Sequence, residues 1–195
     1  MKLHRIAIAI SAICIALAVA IVFGWYQVVY LSVDSPSRPS VGGPFTLVDG
    51  DGRTVTDRDY RGKWLVVYFG FTFCPDACPT ALNKIAESLD ALGPDAARVQ
   101  PLFITIDPER DTPPVMKQYV AAFDSRIVGL TGTPQQIAAV AKAYRTYYQR
   151  VGDGPNYTMD HSTGIYLVDP DGRFNSLLPH DLTGQEMAKR LKELL

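Results

Sequence analysis

"FGFTFCPDACPT", residues 69–80, puts two cysteines four positions apart, each followed by a proline, at the end of an apolar and aromatic run. The run starts earlier. Residues 63–73, "KWLVVYFGFTF", are β-branched and aromatic with no polar alternation, the pattern of a central buried strand. In residues 80–92, "TALNKIAESLDAL", Leu82, Ile85, Leu89 and Leu92 share one helical face, and Gly93-Pro94 stops the helix. The cysteines thus fall where a strand hands over to a helix, which is where open α/β sheets carry their sites. Pro75 and Pro79 restrain Cys74 and Cys78 toward extended backbone, and Pro79 suits a first helical position, so the helix is expected to begin near Pro79. Free N–H groups and the helix dipole at such a turn favour thiolate. Three readings are open: a structural disulfide, a redox dithiol, or two metal ligands. A short loop gains little from cross-linking, which weighs against the first.

The remaining pattern extends this strand–helix unit. "FTLV" at 45–48, the turn "DGDGR" and "TVT" predict a β-hairpin; the "DGDG" does not match a calcium loop. "VQPLFITI" at 99–106 is a second buried strand, and Thr112-Pro113 cap and open a helix. "RIVGL" at 126–130 is a short strand, and a helix is expected over 133–149, "TPQQIAAVAKAYRTYYQ". "TGIYLV" and "FNSLL" flank "DPDG" as a second hairpin, and "TGQEMAKRLKELL" is an amphipathic last helix. Strands alternating with helices imply a sheet covered on both faces.

The N-terminus has a different composition. Lys2 and Arg5 precede an uncharged apolar stretch, residues 6–28, long enough to cross a bilayer, with Trp25, Tyr26 and Tyr30 at its far end. The charge bias puts residues 1–5 in the cytoplasm and the rest of the chain outside it. A cleaved signal peptide ending at Ala18-Val19-Ala20 is the rival, but the apolar stretch runs past it. Cys14 reads as an apolar residue within that stretch, since Ile13 is too large for a lipobox. The expected organisation is a single-pass inner-membrane anchor at 6–28, a Ser-, Pro- and Gly-rich linker at 29–43, and a periplasmic domain at 44–195. The chain carries 19 basic and 20 acidic residues with no basic run, so nucleic-acid binding has no electrostatic footprint.

A metal at Cys74 and Cys78 needs a third ligand, and the chain has 3 histidines. His4 lies on the cytoplasmic side of the anchor. His180, in "LPHDLTG", reads as an exposed loop residue. His161, in "YTMDHSTGIYLV", sits at the mouth of an apolar strand, with Asp160 beside it as a candidate orienting carboxylate. Two thiolates and one imidazole are a soft set suited to copper, Cu(I) above all, with Cu(II) as a second state. Structural zinc wants a fourth ligand, and the domain has no third cysteine. Met159 would point with His161 on an extended strand; core packing is its simpler role. In "DPERDTP", residues 107–113, Asp107 ends a strand and Asp111 opens a helix, which reads as turn and capping chemistry, with a role near the metal as the alternative for Asp107.

"GKW", "YFGFTFCPDACPT", "FITIDPERDTP", "GLTG" and "DHS", in that order, make residues 42–195 resemble the Sco/SenC family of copper chaperones. The resemblance implies an α/β, thioredoxin-like fold behind a single membrane anchor. It departs from thioredoxins in motif: Phe73 rather than Trp precedes the pair, and three residues separate the cysteines rather than two. It implies copper binding by Cys74, Cys78 and His161, and help in building the dinuclear copper centre of cytochrome c oxidase subunit II. Another periplasmic copper chaperone is a candidate donor. A non-enzymatic metallochaperone is the first reading. The alternative is a thiol-disulfide oxidoreductase that reduces the target's cysteines.

Overall fold

The computed structural model describes residues 15–26 and 41–195. They fall in two units, Met1–Pro39 and Ser40–Leu195. In the first, residues 15–26 form helix α1, with its side chains exposed. The expected anchor at 6–28 lies only partly among the described residues, and among these no helix is long and apolar enough to cross a membrane. The expected cytoplasmic segment 1–5, His4, Cys14 and linker residues 29–40 lie outside them.

The second unit is built on a seven-stranded sheet of order β2-β1-β5-β4-β3-β8-β9. Its strands are β1 (Thr46–Asp49), β2 (Thr54–Thr56), β3 (Trp64–Gly70), β4 (Val99–Thr105), β5 (Val128–Thr131), β8 (Ile165–Val168) and β9 (Phe174–Leu178). β3 pairs in parallel with β4, Trp64 opposite Val99 through Gly70 opposite Thr105, and antiparallel with β8. β3 is therefore central, and all its residues after Trp64 are buried, as an unalternating apolar run requires. Both outer hairpins close with the same device. In "DGDGR" and "DPDGR" the first aspartate, Asp49 or Asp169, accepts backbone N–H bonds from positions two and four further on. Gly52 and Gly172 supply the positive φ the turn needs, 79° and 76°.

The helices are α2 (Ala77–Leu92), α3 (Pro113–Ala121), α4 (Pro134–Tyr144) and α5 (Gly184–Lys192). Leu82, Ile85, Leu89 and Leu92 of α2 are buried as their spacing predicts; each such burial stabilises by roughly 1.5–3 kcal/mol. Successive β3 side chains point to opposite faces. Tyr68 stacks on Phe103, which packs on Tyr119 of α3, while Phe69 meets Tyr144 of α4 at 5.4 Å. The sheet is thus covered on both faces, as expected. Thr133 and Thr183 cap α4 and α5, each accepting from the backbone N–H three residues on.

Two local expectations fail. α2 begins at Ala77 rather than near Pro79, so Cys78 is inside its first turn rather than extended before it. The first-turn N–H groups have no intrahelical acceptor, so a proline one residue further in removes nothing the helix uses. α4 ends at Tyr144 rather than running to Gln149. Arg145 turns left-handed, with φ 56°, and the chain enters strand β6 (Tyr148–Val151). β6 pairs with β7 (Thr158–His161) as a separate two-stranded ribbon, Tyr148 opposite His161. No such hairpin was expected.

Candidate metal centre

Three segments converge at the C-terminal end of β3: the turn after it, the first turn of α2 and the end of β7. Cys74 reaches the site from the turn, whose backbone closes through Cys74 N–H to Phe71 C=O at 3.2 Å. Cys78 reaches it from α2 and is fully buried. Its backbone N–H donates to Cys74 Sγ at 3.3 Å. Gly70 makes room for this packing: a Cβ there would fall 2.6 Å from Cys78 Sγ and 2.7 Å from the Phe103 ring. Both cysteines are free thiols.

His161 comes from β7, half-buried, with its ring edge-on to Phe71 and Tyr68 at 5.9 and 6.3 Å between centroids. Its Nδ1 lies 2.8 Å from the Ser162 carbonyl oxygen. A carbonyl only accepts, so Nδ1 carries a proton and Nε2 is the ring nitrogen turned toward the sulfurs. The Cys78 Sγ–His161 Nε2 distance is 3.8 Å. The orienting group is thus a backbone carbonyl, and Asp160, expected in that role, is exposed on the other side of the strand. The ligand atoms of Cys74, Cys78 and His161 lie within 4.8 Å of one another, the one such group of three or more His, Cys, Asp or Glu side chains among the described residues.

The two thiols are not equivalent. Cys74 is lowered to about 5, first because the Cys78 thiol donates to it, with the backbone N–H groups of Cys78 and Asp76 adding to the effect against partial burial. Cys78 is pushed far up, by its thiolate neighbour and then by burial. Cys74 therefore ionises first. Tyr68 is buried, and its own ionisation is strongly opposed, first by burial and then by the neighbouring sulfurs.

His180 is exposed and offers only its backbone carbonyl, to Lys84 Nζ at 2.8 Å. Met159 is half-buried against the core, lining a cavity of about 160 Å³ with Ile106, Tyr148 and Tyr157. Asp107 and Asp111 are buried rather than turn residues in solvent. Asp111 accepts from the backbone N–H and hydroxyl of Thr72, two residues before Cys74, at 3.1 and 2.5 Å. Tyr68, Thr72 and Tyr157 lie within the quoted stretches, but their place beside the site left no signal of its own in the sequence.

Comparison with known proteins agrees with this geometry. The SCO1/SenC family model matches residues 33–195. The chain is 38% identical over 177 residues to the SCO2-like protein of Rickettsia felis, covering 83% of this chain and 86% of that one. It is 46% identical over 147 residues to the human mitochondrial SCO1 homolog, covering 70% of this chain but 47% of the human protein. Among solved structures it is similar to the copper-bound ScoI of Bradyrhizobium japonicum, at 48% identity and a TM-score of 0.75, over 80% of this chain and 100% of that one. The thioredoxin-like fold expected from the sequence is the one these structures share.

Proposed function

The chain belongs to the SCO1/SenC family, and from that membership we propose that it binds copper and serves in the assembly of cytochrome c oxidase. Cys74, Cys78 and His161 are the ligands in this reading, and their convergence within 4.8 Å is the observation that carries it. The donor set fits the ion. Two soft sulfurs hold Cu(I), and a neutral imidazole nitrogen adds the borderline donor that Cu(II) wants. No fourth side chain among the described residues completes a tetrahedral zinc site. Copper is cargo here. Cys74, ionised at neutral pH, takes the ion first, and Cys78 gives up its proton to complete the pair. The recipient is the dinuclear centre of cytochrome c oxidase subunit II, the donor another periplasmic chaperone, and residues 6–28 hold the domain on the outer face of an inner membrane.

One observation favours a second reading, thiol-disulfide exchange on the target's cysteines. A low-pKa thiol with a buried, high-pKa partner is the arrangement of an attacking and a resolving cysteine. The histidine separates the two readings, since exchange needs only the dithiol. The experiment is copper content and absorption spectrum of the reduced chain with and without His161→Ala. The chaperone reading expects one copper per chain, retained as Cu(I) but with a changed Cu(II) spectrum in the variant. A wild-type chain that emerges copper-free from loading and desalting would overturn it.

A further inference from the structure

"DPERDTP" supplies none of the three proposed ligands, yet it is bonded to both segments that do. Toward the cysteines, Asp111 holds Thr72 and also accepts from the Thr105 hydroxyl at 2.5 Å. Toward the histidine, Arg110 Nη1 donates to the Tyr157 carbonyl at 2.9 Å, and the Tyr157 hydroxyl donates to Asp107 at 2.5 Å. Arg110 Nε is paired with the same Asp107. The guanidinium carbon lies 3.7 Å from the Tyr157 ring centroid, 4.7 Å from Phe73 and 5.9 Å from Phe71. Phe73 precedes Cys74, and Phe71 packs edge-on to His161. Tyr157 immediately precedes β7.

Arg110 Nη2 is buried without a hydrogen-bond partner. Such a donor is unfavourable, so stability alone does not select an arginine here. What an arginine does provide is a planar fork that bonds Asp107 and the Tyr157 carbonyl at once while stacking on a ring. The β6–β7 ribbon is outside the main sheet; apart from Tyr148 and Met159, which pack against the core, and Arg150, which pairs with Glu109 of the same loop, its attachment runs through these contacts.

We propose that Asp107, Arg110 and Tyr157 form a clasp that fixes the β6–β7 ribbon to the cysteine turn, so that His161 Nε2 stays on the two sulfurs. Arg110 is in this sense a positioning residue, acting through His161, and the inference rests on the ligand reading above. The thiols are held together by their own turn and by α2, so loosening the clasp releases the imidazole alone. Two thiolates suffice for Cu(I), whereas Cu(II) loses its nitrogen donor. The clasp therefore sets which oxidation state the site retains.

The test uses the full chain in detergent, as Arg110→Gln, Tyr157→Phe, His161→Ala and the Arg110→Gln/His161→Ala double variant. In the metal-free, reduced protein, amide hydrogen exchange across 148–151 and 158–161 is expected to speed up in both clasp variants while β3 exchange stays unchanged. With copper, Arg110→Gln is expected to weaken Cu(II) by about 10–100-fold, the range for supports of a metal ligand, and to leave Cu(I) affinity unchanged. Its Cu(II) electron paramagnetic resonance should lose imidazole nitrogen coupling. The double variant should bind Cu(II) no worse than His161→Ala. Additive losses in the double variant, wild-type exchange in the ribbon, or equal acceleration of β3 and the ribbon would each overturn the clasp. A wild-type chain that binds no copper would sink the ligand reading instead, and ribbon exchange would still decide the clasp.

Discussion

Cys78 is fully buried at the head of α2, beneath the end of the central strand, whereas His161, 3.8 Å away, is half-buried at the end of a two-stranded ribbon outside the main sheet. The cysteine side is held by the elements that also make the core: β3, α2, Gly70 and Phe103. The histidine side packs Tyr148 and Met159 against the core but takes its polar attachment from one loop. A site built this way has a fixed pair of soft donors and a third donor whose position depends on a separate attachment. That is a useful construction for cargo that must be gripped and then released, because one ligand can leave without disturbing the fold.

Removing the fixed side should have the largest effect. Cys78→Ala takes away a thiolate that no other described side chain can replace, so copper content after loading and desalting is expected to fall to background. Copper at the wild-type ratio would mean that the core side is not where the metal is held. Gly70→Ala strikes the same side through packing. The new methyl must displace Cys78 Sγ or Phe103, and overpacking of this kind destabilises by about 1–3 kcal/mol. Thermal unfolding of the metal-free chain measures it; an unshifted midpoint would show that the core side yields more easily than its packing suggests.

A subtler difference separates the two sulfurs. Because the folded Cys74 is lowered to about 5, below the ~8.5 of a free thiol, its thiolate is present above pH 5 and is lost as pH falls through that value. The stability it contributes is present above the unfolded value and disappears over the same fall. In the reduced, metal-free chain, alkylation of Cys74 should therefore already be near its plateau at pH 7, while Cys78 lags. Both cysteines rising together near pH 8.5 would erase the asymmetry. The smallest effect is expected at His180→Ala: unchanged copper affinity and spectrum, because its ring is exposed and away from the site. A larger loss there than in His161→Ala would move the third ligand to a different part of the molecule.

The sequence by itself determined where the cysteines sit in the fold. An apolar run without alternation, a proline after each cysteine, and leucines and isoleucine at helical spacing are local signals, and β3 and α2 follow them to within three residues. The soft character of the site was likewise legible, because ligand type depends on residue identity alone. The ribbon was not. "YRTYYQ" continues the helical pattern of α4, and nothing local says that Arg145 turns left-handed and that Tyr148 then pairs with His161. Asp160 was the natural guess as the group orienting His161, since it is adjacent in the chain. On a strand, however, adjacent side chains face opposite ways, so a backbone carbonyl took the role. The bonds of the 107–113 loop span 39 residues to Thr72 and 47 to the Tyr157 carbonyl. At such separations a hydrogen bond leaves no spacing to read. Only the packed tertiary structure brings the donor and acceptor together, and only there does a stretch that looks like turn chemistry become the tie between the two sides of the site.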